Sequence, residues 1–224
     1  MQSESRPRVL ITGAGTGIGR ACAHALADCG AELILCDNDS RALVEISQAL
    51  GAASRFCDVS SEASVAIFAA DILEQFPSLD MIVNAAGGGY ERTLGMYRVS
   101  RALMPALKRG EQCNIIINVP PAGSDSEAIF PYASSSQAFQ RLSSALAMET
   151  RGSAVNILIA CPKGGSISYV LPDANAWSWP VAWTGEPVKP ETLESLAIEI
   201  ASLLVRSEKT APQIRRIVSG PSGA

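Results

Sequence analysis

The sequence has little of what builds metal centres, membrane spans or nucleic-acid surfaces. It contains one histidine, His24, in 224 residues. Its six cysteines, at 22, 29, 36, 57, 113 and 161, form no C-x-x-C pair, so no zinc-ligand spacing is present and no metal is expected. Cys36, Cys113 and Cys161 lie in or at the ends of apolar strand-like runs, where a reduced thiol behaves as a small buried hydrophobe. No apolar run approaches the ~18 residues that a spanning helix needs. The net charge is −4, which argues against a basic face for nucleic acid. The opening Met1–Arg8 lacks the apolar core of a signal peptide. The expectation is a cytoplasmic protein with neither a membrane nor a nucleic-acid partner.

What is present is core-building material. Hydrophobic residues make up 47% and charged residues 18%, which excludes a disordered chain. The length suits one domain, read as residues 1–224. Strand-like and helix-like segments alternate. Strands are predicted at Arg8–Ala14, Ala31–Asp37, Ser54–Val59, Asp80–Ala86, Cys113–Val119, Ala154–Cys161 and Gln213–Ser219. Helices are predicted at Gly17–Cys29, Ser40–Leu50, Ser61–Phe76, Arg92–Arg109, Tyr132–Arg151 and Pro190–Arg206, with Pro105 expected to bend the fourth. The near-continuous Ile/Val/Leu runs point to strands buried on both faces, as in a parallel sheet covered by helices. Gly164–Lys189 reads as a long irregular stretch.

The first strand-to-helix turn is Thr12-Gly13-Ala14-Gly15-Thr16-Gly17-Ile18-Gly19. Glycine lets such a turn close tightly and lets backbone approach a pyrophosphate. The helix that follows offers unpaired N–H groups and the positive end of its dipole. The string follows a strand and opens a helix, the context in which it signals dinucleotide binding. Asp37 closes the second strand, 18 residues after Gly19. A carboxylate there accepts hydrogen bonds from ribose hydroxyls and repels a 2′-phosphate, and neither Thr16 nor Asn38 supplies a cation to hold one. These residues predict NAD(H) in preference to NADP(H).

Further motifs follow in order: Cys57-Asp58-Val59, Asn84-Ala85-Ala86-Gly87, Ser100-Arg101-Ala102-Leu103-Met104-Pro105, Asn118-Val119, Tyr132 at a helix start, and Val155-Asn156 through Cys161-Pro162. With these and the glycine turn, the sequence resembles the short-chain dehydrogenase/reductase family over essentially its whole length. The resemblance, with the alternating segments, implies a Rossmann-like, doubly wound, seven-stranded parallel sheet with helices on both faces. It places Gly13, Thr16, Gly17 and Ile18 at the pyrophosphate and Asp37 at the adenosine ribose. Asp58 and Val59 fall at the adenine, and Asn84, Ala85 and Gly87 at the far ribose.

The back half departs from the family pattern. The resemblance implies a Ser, a Tyr and a Lys around the nicotinamide, with an Asn on the fourth helix. Tyr132 is present as a remnant, but Ser136 stands at the lysine position and Pro121 at the serine position. A phenol without a cationic neighbour titrates at about pH 10, so little phenolate is available at neutral pH. Ser124 or Ser126 could replace the lost hydroxyl only from a shifted place. Arg92 is the best match for the asparagine position. Lys163 stands where a proline and glycine usually meet and could supply a cation from another direction. A helix that borders the substrate pocket in the family is missing after Gly87.

The favoured expectation is an NAD(H)-binding protein with a degraded dehydrogenase site, regulatory or structural. One alternative is an active NAD-dependent oxidoreductase of a small alcohol or ketone, using Tyr132 with an atypical proton relay. Another is a cofactor-free structural partner. Tyr97 and Arg101 mimic a Y-x-x-x-[KR] pair but fall on the wrong helix, so they read as an ordinary interface or surface pair. The fourth and fifth helices, with Ala133, Ala138, Ala145, Ala147, Phe139, Leu142, Leu146 and Met148, predict a homo-oligomer or a heteromer with an active relative. Trp177, Trp179 and Trp183 are expected to fill the void of the missing helix, to wall a small-molecule pocket, or to anchor a partner.

Overall fold

The computed structural model describes residues 6–87, 89–110, 114–119, 129–161, 166–169 and 190–205. Strands β1 (Arg8–Thr12), β2 (Glu32–Asp37), β3 (Ala53–Phe56), β4 (Met81–Asn84), β5 (Ile115–Asn118), β6 (Asn156–Cys161) and β7 (Ser166–Tyr169) form one sheet in the order β3-β2-β1-β4-β5-β6-β7. Six strands are parallel; β7 runs antiparallel to β6.

This corrects the expectation of seven parallel strands. The seventh described strand comes from within the stretch expected to be irregular. A parallel neighbour requires a crossover of about a dozen residues or more. Only residues 162–165 separate β6 from β7, enough for a reversal and nothing longer. The strand expected at Gln213–Ser219 lies outside the described residues.

Helices α1 (Gly17–Asp28), α2 (Ser40–Leu50), α3 (Glu62–Gln75), α4 (Gly89–Leu107), α5 (Ile129–Glu149) and α6 (Pro190–Val205) link or flank the strands. Successive strand side chains point to opposite faces, so each strand feeds two cores. Val9, Ile11, Leu33, Leu35, Met81, Val83, Ile115 and Ile117 pack with α1, α2 and α6. Leu10, Ile34, Cys36, Ile82 and Ile116 pack with α3, α4 and α5. Two covered faces explain why the strands read as continuous apolar runs.

Helix boundaries follow local chemistry. Asp39 caps α2 by accepting from the Arg41 and Ala42 amides, and Gly51 ends that helix in the left-handed region. Ser61 caps α3 through the Ser64 amide. Helix α4 continues past Pro105 to Leu107. It also starts at Gly89, earlier than the expected Arg92, so it leaves β4 after a very short connection.

On α1, Cys22 is fully buried, and burial pushes its thiol up to about 12. An unfolded thiol ionises at about 8.5. Above that pH the unfolded state releases a proton that the folded state retains, so Cys22 weakens folding as pH rises towards about 12. Replacing Cys22 by Ala should therefore flatten the fall of urea-unfolding stability between roughly pH 9 and 11, by up to about 1.4 kcal/mol per pH unit.

Candidate functional site

The strand order reverses between β1 and β4, and the candidate site lies at their C-terminal ends. The glycine turn leaves β1 here. Gly13 has φ +67°, and a Cβ added to it would lie 2.7 Å from the Ala86 Cα and N, so only glycine lets the turn abut the end of β4. At Gly19 a Cβ would meet the Gly13 carbonyl oxygen at 2.0 Å. The two glycines let α1 begin against the turn, just past the C-terminal end of β1.

Asp37 is 9% exposed and ties β2 to this turn. Its Oδ2 accepts from the Gly15 amide at 2.8 Å, and its Oδ1 accepts from the Asp39 amide at 3.0 Å. The sequence identified the carboxylate but not this duty: Asp37 holds the glycine turn in shape. Beside it lies a cleft of about 240 Å³, lined by Gly13, Thr16, Asp37, Asn38, Asp39, Cys57, Val59, Ala85, Ala86, Gly87 and Arg92.

Of the residues expected at a dinucleotide, the cleft brings together Gly13, Thr16, Asp37, Val59, Ala85 and Gly87. Gly17 and Ile18 open α1 beside it. Asp58 is not in the lining. Its Oδ1 accepts from the Ser60 amide at 3.0 Å and the Ser60 hydroxyl at 2.6 Å, a closed local turn before α3. The Ser60 hydroxyl and amide hold the Asp58 carboxyl below the usual carboxylate range, and Arg92 adds to this. Cys57 takes the cleft position instead. A hydrogen bond from the neighbouring Cys36 thiol lowers its pKa. Cys57 was recognised in sequence only as part of the motif around Asp58.

Asn84 is 3% exposed and faces inward rather than into the cleft lining. Its Nδ2 donates to Ser100 Oγ at 2.8 Å and to Asn118 Oδ1 at 2.9 Å, and Asn118 Nδ2 donates to Ser143 Oγ at 3.2 Å. This buried chain ties β4 and β5 to α4 and α5. The Asn84 Oδ1 has no hydrogen-bond partner among the described residues.

Arg92, on the first turns of α4, enters the cleft wall and donates from Nη1 to the Gly87 carbonyl at 2.9 Å. One turn on, a Cβ at Gly95 would meet the Val59 carbonyl oxygen at 2.3 Å. Glycine is therefore what lets α4 press onto the end of the β3–α3 connection. Positions 132 and 136 fall one turn apart in α5. Pro121, Ser124, Ser126, Lys163 and the three tryptophans lie outside the described residues. Tyr97, set aside as a catalytic candidate, donates its hydroxyl to Glu149 Oε1, and Arg101 Nε approaches Glu149 Oε2 at 3.7 Å. Among the described residues no cluster suits a metal ion, and no helix is long and apolar enough to cross a membrane.

Comparison with known proteins places this geometry. The family model for the short chain dehydrogenases matches residues 7–168. The chain belongs to the short-chain dehydrogenase family. It is 32% identical over 180 residues to the L-fucose dehydrogenase of Oryctolagus cuniculus, covering 71% of this chain and 62% of that protein. It thus spans less than two thirds of that relative's length. A metagenomic short-chain oxidoreductase in complex with NADP is 26% identical, with a TM-score of 0.60 over 70% of this chain and 81% of the other. A 3-ketoacyl-(acyl-carrier-protein) reductase from Brucella melitensis complexed with NADH is 26% identical, with a TM-score of 0.57 over 69% and 76%. The glycine turn and the Asn84-Ala85-Ala86-Gly87 segment both fall within the matched span.

The close approach at Gly95 carries a test. Gly95→Ala forces α4 off the Val59 carbonyl and should lower the urea-unfolding free energy by about 1–3 kcal/mol. Ala102→Gly on the same helix should lower it by only about 1 kcal/mol, through helix propensity.

Proposed function

We propose that this chain binds NAD(H) in the cleft between the glycine turn and Asp37, and that it has little or no dehydrogenase turnover. It would then act as a regulatory or structural subunit that responds to the cofactor. The observation that carries the reading is the cradle itself. The turn is bare of side chains where a Cβ would strike backbone, and a carboxylate locks it in place.

The donor set fits a dinucleotide. Gly13, Thr16, Gly17, Ile18 and the first amides of α1 would hold the pyrophosphate. Asp37 uses each oxygen once for backbone and retains lone pairs for ribose hydroxyls. Val59 would flank the adenine, and Ala85 and Gly87 the far ribose. A bound nicotinamide supplies or accepts hydride. The chain's own task is then to position substrate and to move a proton, and this is where the sequence is weakest. Ser136 brings no charge to lower the Tyr132 pKa, and Pro121 brings no hydroxyl. Preference for NAD(H) rests on Asp37, whose charge would repel a 2′-phosphate. The solved relative with NADP stands against that preference, and the one with NADH is consistent with it.

A second reading is an active oxidoreductase in which Tyr132 donates the proton through water. It is favoured by the relative whose name is L-fucose dehydrogenase. We further propose self-association through α4 and α5. Phe139, Leu146 and Ala147 are already buried within the chain, so among the described side chains of α5 Met148, 62% exposed, is the main apolar one left for such a contact.

Calorimetric titration should show NADH binding more tightly than NADPH. Asp37→Ala should weaken NADH about tenfold and narrow the gap between the two. Equal affinities in the unmodified protein would overturn the NAD(H) preference. With saturating cofactor, turnover of small alcohols, ketones and L-fucose should fall about 10²–10⁴-fold below that of a relative with an intact tyrosine–lysine pair. A rate matching such a relative establishes the second reading instead.

A further inference from the structure

Resting on the dinucleotide reading above, we propose that Arg92 grips the pyrophosphate of the bound dinucleotide from the β4–α4 wall of the cleft. Three observations converge on it. The first is position. Arg92 lines the same cleft as Gly13, Ala86 and Gly87, and its Nη1 is tethered to the Gly87 carbonyl at 2.9 Å. Ala86 abuts the glycine turn so closely that a Cβ at Gly13 would lie 2.7 Å from its backbone. The guanidinium and the amide-rich turn therefore border one space.

The second is charge. The lining holds the carboxylates of Asp37 and Asp39, and Arg92 is the one cation among its described residues. A doubly charged pyrophosphate entering there meets two like charges. The N-terminal end of α1 offsets only about half an elementary charge. A guanidinium adds a full charge and a fork of donors that matches phosphate oxygens.

The third is the short connection after β4. Helix α4 starts at Gly89, and Gly95 seats it against Val59. This places Arg92 at the cleft wall, where its Nη1 bonds the Gly87 carbonyl. The resemblance expects a lysine at position 136 and an uncharged asparagine at position 92. This chain has serine and arginine, which moves the positive charge from α5 to α4.

The test compares binding of ADP-ribose, which carries the pyrophosphate but no nicotinamide, to the unmodified chain and to Arg92→Ala, Arg92→Gln and Arg92→Lys. Calorimetry is run at low and high salt, with thermal unfolding of each unliganded variant as a folding control. Arg92→Ala and Arg92→Gln should each weaken ADP-ribose about tenfold to a hundredfold and flatten its salt dependence, while Arg92→Lys retains most of both. Glutamine can still donate to the Gly87 carbonyl but carries no charge. Full affinity in Arg92→Gln would mean that Arg92 merely shapes the β4–α4 connection, and would overturn the proposal while leaving the dinucleotide reading intact. Failure of the unmodified chain to bind either NADH or ADP-ribose would overturn both.

Discussion

The site depends on one constraint, the backbone ladder that pairs β1 with β2 on one side and β4 on the other. Thr12 pairs with Cys36 and with Asn84, so the three strands end nearly level. Chain connections diverge from this point, α1 to one face and α4 to the other, and a crevice opens between them. Burial holds the ladder in register. Val9, Leu10 and Ile11 have no exposed surface, and slipping by one residue would send each to the wrong core.

The cleft's chemistry is built on that ladder from backbone more than from side chains. The glycine turn presents amides and excludes Cβ atoms, and Asp37 fixes its shape by accepting from Gly15. Deeper in, Asn84, Ser100, Asn118 and Ser143 tie the two strands to α4 and α5 through buried hydrogen bonds. A buried polar group left unpaired costs about 1–3 kcal/mol, so such a chain holds its members in one arrangement. The result is a rigid cradle in which Arg92 and the aspartates are the charged groups.

The contrast between the front and back of the chain has a physical basis. Holding a dinucleotide needs a turn, a helix end and a carboxylate, all within the first strands, and all are intact. Assisting proton transfer needs a cation beside a phenol, and that charge is absent from position 136. Cofactor binding and proton transfer in this family rest on different elements of the fold.

The sequence by itself determined the alternation of strands and helices, the limits of α2, the glycine turn and Asp37. Each of these is local: a run buried on both faces, a capping aspartate before Ser40, a turn that tolerates no Cβ. The family resemblance also put Asp58 at the adenine and Asn84 at the far ribose. What they bond to was decided only in three dimensions. Asp58 closes a turn on Ser60, Asn84 reaches residues 16 and 34 positions away, and Cys57 takes the place in the cleft. Strand β7 itself was missed, since Ser166–Tyr169 lies within the stretch read as irregular, and its direction was hidden with it. Apolar periodicity is the same for parallel and antiparallel strands, and only the short connection from Cys161 to Ser166 forces the reversal. Arg92 matched an asparagine position along the chain, but its place in the cleft wall follows from the packing of Gly95 on Val59, a contact between segments more than thirty residues apart.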